Sequence, residues 1–366
     1  MFVPIPKLPT TAMTAGPLVR QVLHEFEGLR YISPSEMFPN LAVTAPLIDQ
    51  AKIYFSDAVQ SQWRSAGLLY YYSFLNLAKA YLGATNSIKP EHLKAISVHH
   101  GLSATSQELD DLLGFQIMIH PPFSKNGKQN IFSTLYEALT KQTWPFKEPR
   151  MVSLRDVAPY CVEITAELSG LFRILPAIVP GESLIRITSK NVWFEMIVNT
   201  SVVSTVVDGV LPYKLEQVSP VDMSYEDRQD WLSSFHRTAQ SFNNYTILRG
   251  PKASGNLSNV TVVTHQAAAA FQKHAIATVH GQDNLPQWLF VPTIKISDFA
   301  ISWHPLLSDY LFAFALSTIL RYQPHLFEPG TPSTFVAEAW CNQSAITTLR
   351  YFLMLMTDPP LRVESY

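Results

Sequence analysis

Polar side chains that could do chemistry lie on two long apolar segments, Trp63–Leu82 near the start of the chain and Phe299–Tyr322 near its end. Both segments have the composition of buried helices. At about 100° per residue, a polar stripe on each segment falls within an arc of about 120°. The stripes consist of Gln62, Ser65, Ser73, Asn76 and Lys79 at the first segment and of Ser302, Asp309, Ser317 and Arg321 on the second. If the two stripes face each other, they line a polar pocket.

Lys79 is under the strongest physical constraint. An ammonium group left unpaired inside an apolar core costs several kcal/mol, so it needs a counter-charge or a path to water. Asp309 is the acidic residue of Phe299–Tyr322 and is therefore the first candidate for an ion pair with Lys79. We expect Lys79 to be mostly buried and paired. An internal ion pair and plain surface exposure remain as alternatives to the pocket.

Two further groups are candidates for acid–base chemistry. His100, in the run His99-His100-Gly101, could be a general base or a metal ligand. The alternative is a helix C-terminus with Gly101 in the left-handed cap position. Arg321 and His325 could form a catalytic or phosphate-binding pair, or they could be cations that favour a helix C-terminus.

Composition excludes several classes of protein. With 27 basic and 29 acidic residues, the net charge is −2, so the chain lacks the basic footprint of a nucleic-acid binder. Nucleic acid remains a possible partner only if folding assembles a local basic groove. Two cysteines without a CxxC motif exclude a disulfide framework and a cysteine-rich zinc site. We expect no metal and no cofactor, because neither compact ligand spacing nor a nucleotide fingerprint is present.

Charge and aromatic content point to association with other proteins. Charged residues make up 15% of the chain, against about 25% on average, and aromatic residues reach 12%. This polar inventory looks too small to cover a monomer of 366 residues. We therefore expect a protein partner or self-association.

Hydrophobic periodicity predicts an α+β fold that is predominantly α-helical. N- and C-terminal helices would form one body, and a segment rich in Ile, Val, Trp and Phe would form a small β-rich insertion. Pro305 is expected near the start of the last-but-one long helix. The predicted parts are an extended arm at 1–16, a helical part at 17–174, an α+β insertion at 175–295 and C-terminal helices at 296–366.

Neither a signal peptide nor a membrane span is predicted. The longest apolar stretch, Ala66–Leu82, is interrupted by Ser73, Asn76 and Lys79. It falls short of the roughly 20 apolar residues that a spanning helix needs. We expect a cytoplasmic protein without a membrane partner.

Several blocks of sequence resemble the YaaC-like family and occur in the order that the family has. They are Tyr70–Ala80, His100–Ser103, Gly114–Gln116, His304–Leu306, Tyr310–Leu311 and Leu316–Tyr322. The resemblance spans about residues 55–355 and keeps His100 among the site candidates. It assigns no chemical activity.

The first long helix is also similar to the opening helix of HEPN-type domains, which include nucleotide-binding and ribonuclease members. The nuclease motif of such domains spaces an Arg and a His more widely than Arg20–His24 or Arg321–His325 does here. Pro324 also interrupts the second pair. This departure speaks against nuclease activity.

The sequence therefore favours a non-catalytic interaction or regulatory component of a bacterial cytoplasmic assembly, in stress or phage defence. The alternative is a HEPN-related enzyme, either a metal-independent ribonuclease or a nucleotide-binding protein.

Overall fold

A computed structural model describes most of the chain between residues 41 and 357. The described residues are 41–94, 98–105, 109–123, 127–177, 180–187, 191–200, 216–234, 244–254, 275–278, 287–290, 293–296 and 299–357. The predicted arm at 1–16 and the pair Arg20–His24 lie outside these residues.

Helices make up most of the described structure, as predicted. They are α1 (Leu41–Gln60), α2 (Trp63–Ala84), α3 (Pro90–Lys94), α4 (Ile131–Thr140), α5 (Leu154–Val157), α6 (Thr165–Phe172), α7 (Tyr225–Ser234), α8 (Pro305–Tyr322), α9 (Pro332–Ala339) and α10 (Ala345–Thr357). A π-helical turn at Trp340–Ser344 joins α9 to α10. Within the described residues, no helix is both long and apolar enough to cross a membrane.

Strands lie mostly in the middle of the chain, which confirms the predicted α+β class. They are β1 (Val98–His99), β2 (Leu102–Ala104), β3 (Gln116–Ile119), β4 (Gln129–Asn130), β5 (Arg150–Ser153), β6 (Pro180–Ile187), β7 (Asn191–Asn199), β8 (Glu216–Val218), β9 (Tyr245–Arg249), β10 (Ala253–Ser254), β11 (Ala275–Thr278), β12 (Gln287–Phe290), β13 (Thr293–Ile296) and β14 (Phe299–Ser302).

The described residues divide into two units. The helical unit contains the residues up to Ala158 together with Asp309–Thr357, and the β-rich unit contains the residues from Pro159 to Ser308. The boundaries predicted from the sequence, at 174/175 and 295/296, both fall inside the β-rich unit. They remain predictions.

Helices α2 and α8 pack on each other within the helical unit, which confirms the contact predicted between the two long apolar segments. Gly67 of α2 allows the close approach, because a Cβ atom there would lie 2.8 Å from Cδ1 of Leu320. One turn later, the ring of Tyr71 packs on the rings of Tyr310 and Phe314, with centroids 6.0 and 5.6 Å apart. Apolar residues at helical spacing on both elements thus form one core.

The predicted helix Phe299–Tyr322 is wrong over its first residues. Phe299–Ser302 is strand β14, which pairs antiparallel with β13. The helix begins at Pro305, as expected for a residue without an N–H at the first helical position. The neighbouring strand, and not local sequence preference, decides the conformation of Phe299–Ser302.

Short strands in the helical unit position its polar turns. Strands β2, β3 and β5 form an antiparallel sheet with β3 in the middle. Strand β1 runs parallel to β4, which leads directly into α4. This pairing places His99 beside Asn130, the residue that precedes α4.

The β-rich unit is built on an antiparallel sheet in the order β11-β12-β6-β7-β9-β8, with β10 also paired to β7. Its interior side chains include Ile197 of β7 and Ile247 of β9, which are paired across the sheet. The β6–β7 hairpin fits the alternation of apolar residues that predicted strands here.

Candidate functional site

The polar stripe of α2 lies partly at the surface, where Asn76 and Lys79 are both half-buried. Burial lowers the pKa of Lys79. Lys79 takes part in none of the ion pairs found among the described residues. The predicted ion pair between Lys79 and Asp309 is therefore wrong, although most of the Lys79 side chain is buried, as predicted. A long aliphatic stem lets a lysine cover apolar surface while its ammonium group reaches water.

Asp309 belongs to the core of the helical unit, with no exposed surface. Its Oδ1 accepts a hydrogen bond of 3.2 Å from Nε1 of Trp340. The indole of Trp340 also stacks on Phe312, with ring centroids 5.4 Å apart. Asp309 therefore helps to fix a buried tryptophan on a different helical segment, a role that the pattern within α8 does not show.

Arg321 and His325 lie at the C-terminal end of α8 and in the turn that follows it, and both are exposed. Arg321 Nε donates to the backbone oxygen of Ser317 at 2.9 Å, and its guanidinium carbon lies 5.2 Å from the centroid of the Tyr322 ring. His325 is in the 3-10 turn Pro324–Phe327. The interpretation of Arg321 as a cation at a helix C-terminus fits this arrangement.

His100 lies in a turn between two strands, where Lys79 and two other histidines approach it. We call this group the histidine–lysine cluster: Lys79, His99, His100 and His120. His99 ends β1, and His120 follows β3. The N–H of His120 donates to the oxygen of Gly101 at 2.9 Å, so His120 lies opposite the turn that carries His100.

The predicted helix C-terminus at His99-His100-Gly101 is wrong, because β1 and not a helix precedes Gly101. The left-handed conformation expected of Gly101 is present, with φ of +80°. A Cβ atom there would lie 3.0 Å from Cβ of Asn130. Glycine thus lets the chain turn sharply against the start of α4.

The ring of His100 is fixed by two contacts. Its Nδ1 accepts a hydrogen bond of 3.2 Å from the backbone N–H of Leu102, and one face of the ring packs near Phe314 at 5.9 Å between centroids. Since Nδ1 is the acceptor, the proton of the neutral ring lies on Nε2. His100 therefore presents an N–H donor and is a poor general base in this state.

Burial and neighbouring cationic groups lower the pKa values of two histidines in the cluster. The pKa of His100 is lowered first by desolvation of its ring and then by the charges of His99, His120 and Lys79. The pKa of His120 is lowered first by partial burial and then by His99. None of the charges that act on these two pKa values belongs to a carboxylate.

A hydroxyl group extends the cluster. Nε2 of His120 and Oγ of Ser103 form a hydrogen bond of 2.9 Å. Ser103 lies on β2, and its register partner on β3 is Met118. Among the described residues, no three histidine, cysteine or carboxylate side chains form a group that could hold a metal ion. The cluster is thus a set of cationic and neutral donors.

A comparison with known protein families gives a match over most of the chain. The sequence profile described as YaaC-like Protein matches residues 31–357. The chain belongs to the YaaC-like family. No curated protein and no solved structure matches it significantly.

The sequence blocks that resembled YaaC-like proteins occupy distinct places in the structure. Tyr70–Ala80 is the middle of α2, and Leu316–Tyr322 is the end of α8, so both belong to the packed helices. His100–Ser103 is the turn of the histidine–lysine cluster and its following strand. The His-Gly-Leu-Ser block therefore contributes His100 and Ser103 to the cluster of this YaaC-like chain, and the block Tyr70–Ala80 contributes Lys79.

A buried charge cluster in the β-rich unit was missed by sequence reasoning. Glu195 of β7 is 1% exposed and pairs with Arg186 Nε at 2.9 Å and with Arg249 Nε at 2.7 Å. Trp193 Nε1 also donates to it at 3.1 Å. Burial alone raises the pKa of Glu195, but these hydrogen bonds outweigh it and the net pKa is lowered.

The signal for this cluster was present in the sequence. Arg186 and Glu195 are charged residues within the predicted strand segment Leu184–Val198, and Arg249 directly follows the predicted strand Tyr245–Leu248. Register sets Glu195 directly opposite Arg249, but the pairing of β7 with β9 spans 54 positions along the chain. Sequence alone does not give that register.

Proposed function

We propose that this YaaC-like protein is a non-catalytic interaction or regulatory component of a bacterial cytoplasmic assembly that acts in stress or phage defence. The observation that supports the interaction role is a set of aromatic and arginine side chains at the surface of the helical unit, all exposed except the half-buried Trp63. We call it the arginine–aromatic surface: Trp63, Arg64, Arg321, Tyr322 and Phe335.

Contacts connect the members of this surface. Arg64 lies 5.0 Å above the ring of Trp63 and donates through Nη2 to the oxygen of Phe327. Trp63 and Phe327 pack edge to face, with centroids 5.4 Å apart. Phe327 belongs to the turn that directly follows Arg321 and Tyr322, so the start of α2 meets the end of α8 here.

Exposure makes the surface available for binding. Tyr322 is 71% exposed and Phe335, on α9, is 50% exposed. Helix α9 contacts both α2 and the turn that contains Phe327. Single exposed apolar side chains are common on monomers, whereas tryptophan, tyrosine and arginine together are the residues enriched at the energetic centres of protein interfaces.

Capture of complexes from cells tests the proposal, with the full chain as bait after cross-linking. Tyr322→Ser is expected to reduce recovery of the complex by about tenfold or more, as for a residue at the centre of an interface. Tyr225→Ser is the matched control, because Tyr225 is 77% exposed but lies on α7 of the β-rich unit.

Light scattering of the purified chain then separates a second copy from a different partner. A dimer that Tyr322→Ser dissociates supports self-association through this surface. A well-behaved monomer at micromolar concentration that captures no partner contradicts the proposal. A nuclease or helicase gene beside the coding gene would favour the defence context.

A further inference from the structure

The histidine–lysine cluster is separate from the arginine–aromatic surface and has a different chemistry. Its members are cationic or neutral donors, and they come from α2, from the end of β1 with the turn that follows it, and from the end of β3. We propose that this cluster binds a phosphate group of a small molecule.

Backbone pairing brings a fourth element to the same place. Strand β1 pairs with β4, which sets His99 beside Asn130, and the N–H of Phe132 donates to the oxygen of His100 at 3.2 Å. The N-terminus of α4 therefore lies against this turn. The first turn of a helix carries a partial positive charge, which adds to the side-chain cations around it.

The donor set suits a phosphate group in geometry as well as in charge. His100 presents its Nε2–H, because Nδ1 is engaged by the N–H of Leu102. Ser103 and His120, joined at 2.9 Å, contribute a hydroxyl and an imidazole beside it. Lys79 adds an ammonium group on a flexible stem, which binds phosphate as a point charge.

Partial exposure makes the cluster accessible. His99 and His100 are exposed, and Lys79, Ser103 and His120 are half-buried. A ligand can thus reach the donors without opening the core. In the β-rich unit, by contrast, the guanidinium groups of Arg186 and Arg249 are already bonded to Glu195, which leaves them less available for an anion.

Titration calorimetry of the full chain tests the proposal with two probes, inorganic phosphate and a nucleoside monophosphate. Equal affinity for both probes assigns the site to the phosphate group alone. Tighter binding of the nucleotide shows that the base or sugar adds contacts. Either result supports the proposal if the variants below weaken binding, and absence of binding by both probes at millimolar concentration overturns it.

Two substitutions remove donors while leaving the fold intact. Lys79→Gln removes the charge, and His100→Asn retains an acceptor for the N–H of Leu102 but lacks the Nε2–H donor. Each is expected to weaken binding about tenfold or more, as for loss of a charged or charge-assisted hydrogen bond. Lys89→Gln and His325→Gln are the matched controls, because both residues are exposed and lie outside the cluster.

Histidine side-chain NMR provides the second measurement. With ¹⁵N-labelled histidine, phosphate should shift the Nε2 signals of His100 and His120 and leave those of His325 unchanged. Thermal melting checks that each variant is folded. Binding that persists unchanged in folded Lys79→Gln and His100→Asn, or shifts spread over all histidines, would refute the site.

Discussion

Charged side chains have opposite-charge partners in the sheet of the β-rich unit, whereas the polar turns of the helical unit bring histidines close to a lysine. Glu195 is buried in the sheet between Arg186 and Arg249, so each charge there has an opposite neighbour. In the histidine–lysine cluster, His100 has positive neighbours, and no carboxylate acts on its pKa. In the sheet, the charged groups are bonded to one another, whereas the donors of the cluster remain accessible at the surface.

The difference follows from burial. A carboxylate with 1% exposure must be fully hydrogen-bonded, because an unpaired buried charge costs several kcal/mol. Lys79 and His120 are half-buried, so water can solvate Lys79, while the lowered pKa of His120 favours its neutral ring. Compensated charge in the interior indicates a structural role, and uncompensated charge at the surface is available to a ligand.

Removing the buried carboxylate is the strongest test of this comparison. Glu195→Gln removes the buried counter-charge that Arg186 and Arg249 share, and we expect a loss of about 3 kcal/mol in the free energy of unfolding. Glu216→Gln is the control, because Glu216 pairs with Arg249 at 3.4 Å but its side chain is 61% exposed. Its effect should stay within about 0.5 kcal/mol. Equal midpoints of urea denaturation for the two variants would remove the contrast.

His304 shows a third way to accommodate a titratable group, namely burial in the neutral state. Burial lowers the pKa of His304 to about 3, and its Nδ1 accepts the N–H of Leu306 at 3.1 Å at the start of α8. Its folded pKa is below the unfolded value of about 6.5, so the stability it contributes is present above that value. This stability is lost as the pH falls towards 3, by up to about 1.4 kcal/mol per pH unit.

Denaturation at a series of pH values checks this expectation. His304→Asn retains a side-chain acceptor for the N–H of Leu306 and removes the titrating ring. The variant should therefore lose part of the acid sensitivity between about pH 6 and pH 4. If wild type and variant weaken in parallel over that interval, protonation of His304 is not the cause.

The smallest effect is expected for Lys79, which the sequence placed in a buried ion pair. Lys79→Met should change the free energy of unfolding by only about 0.5 kcal/mol, because no ion pair is broken. Asp309→Leu should cost about 1–3 kcal/mol, since it leaves the indole N–H of Trp340 without this acceptor.

The double variant separates the two interpretations of Lys79. Without an ion pair, the effects of Lys79→Met and Asp309→Leu should add to within about 0.5 kcal/mol. Recovery of stability in the double variant would instead support the ion pair between Lys79 and Asp309 that the sequence predicted. It would also weaken the case for Lys79 as a ligand-binding cation.

Several features were determined by the sequence alone. Helical periodicity in Trp63–Leu82 predicted α2, and Pro305 marked the start of α8. The contact between these two helices followed from their apolar character, because such surfaces must be buried. The left-handed conformation of Gly101 was also predictable, since glycine adopts a positive φ without a steric penalty.

Tertiary structure decided which polar groups meet. Asp309 was assigned to Lys79 on helical spacing, but its partner is Trp340, placed there by the packing of a later segment. His120 joins His100 only through the β2–β3 register, and Glu195 meets Arg249 only through β7 and β9. Periodicity reports the face of an element on which a side chain lies. The partner depends on contacts between distant parts of the chain, which local sequence does not specify.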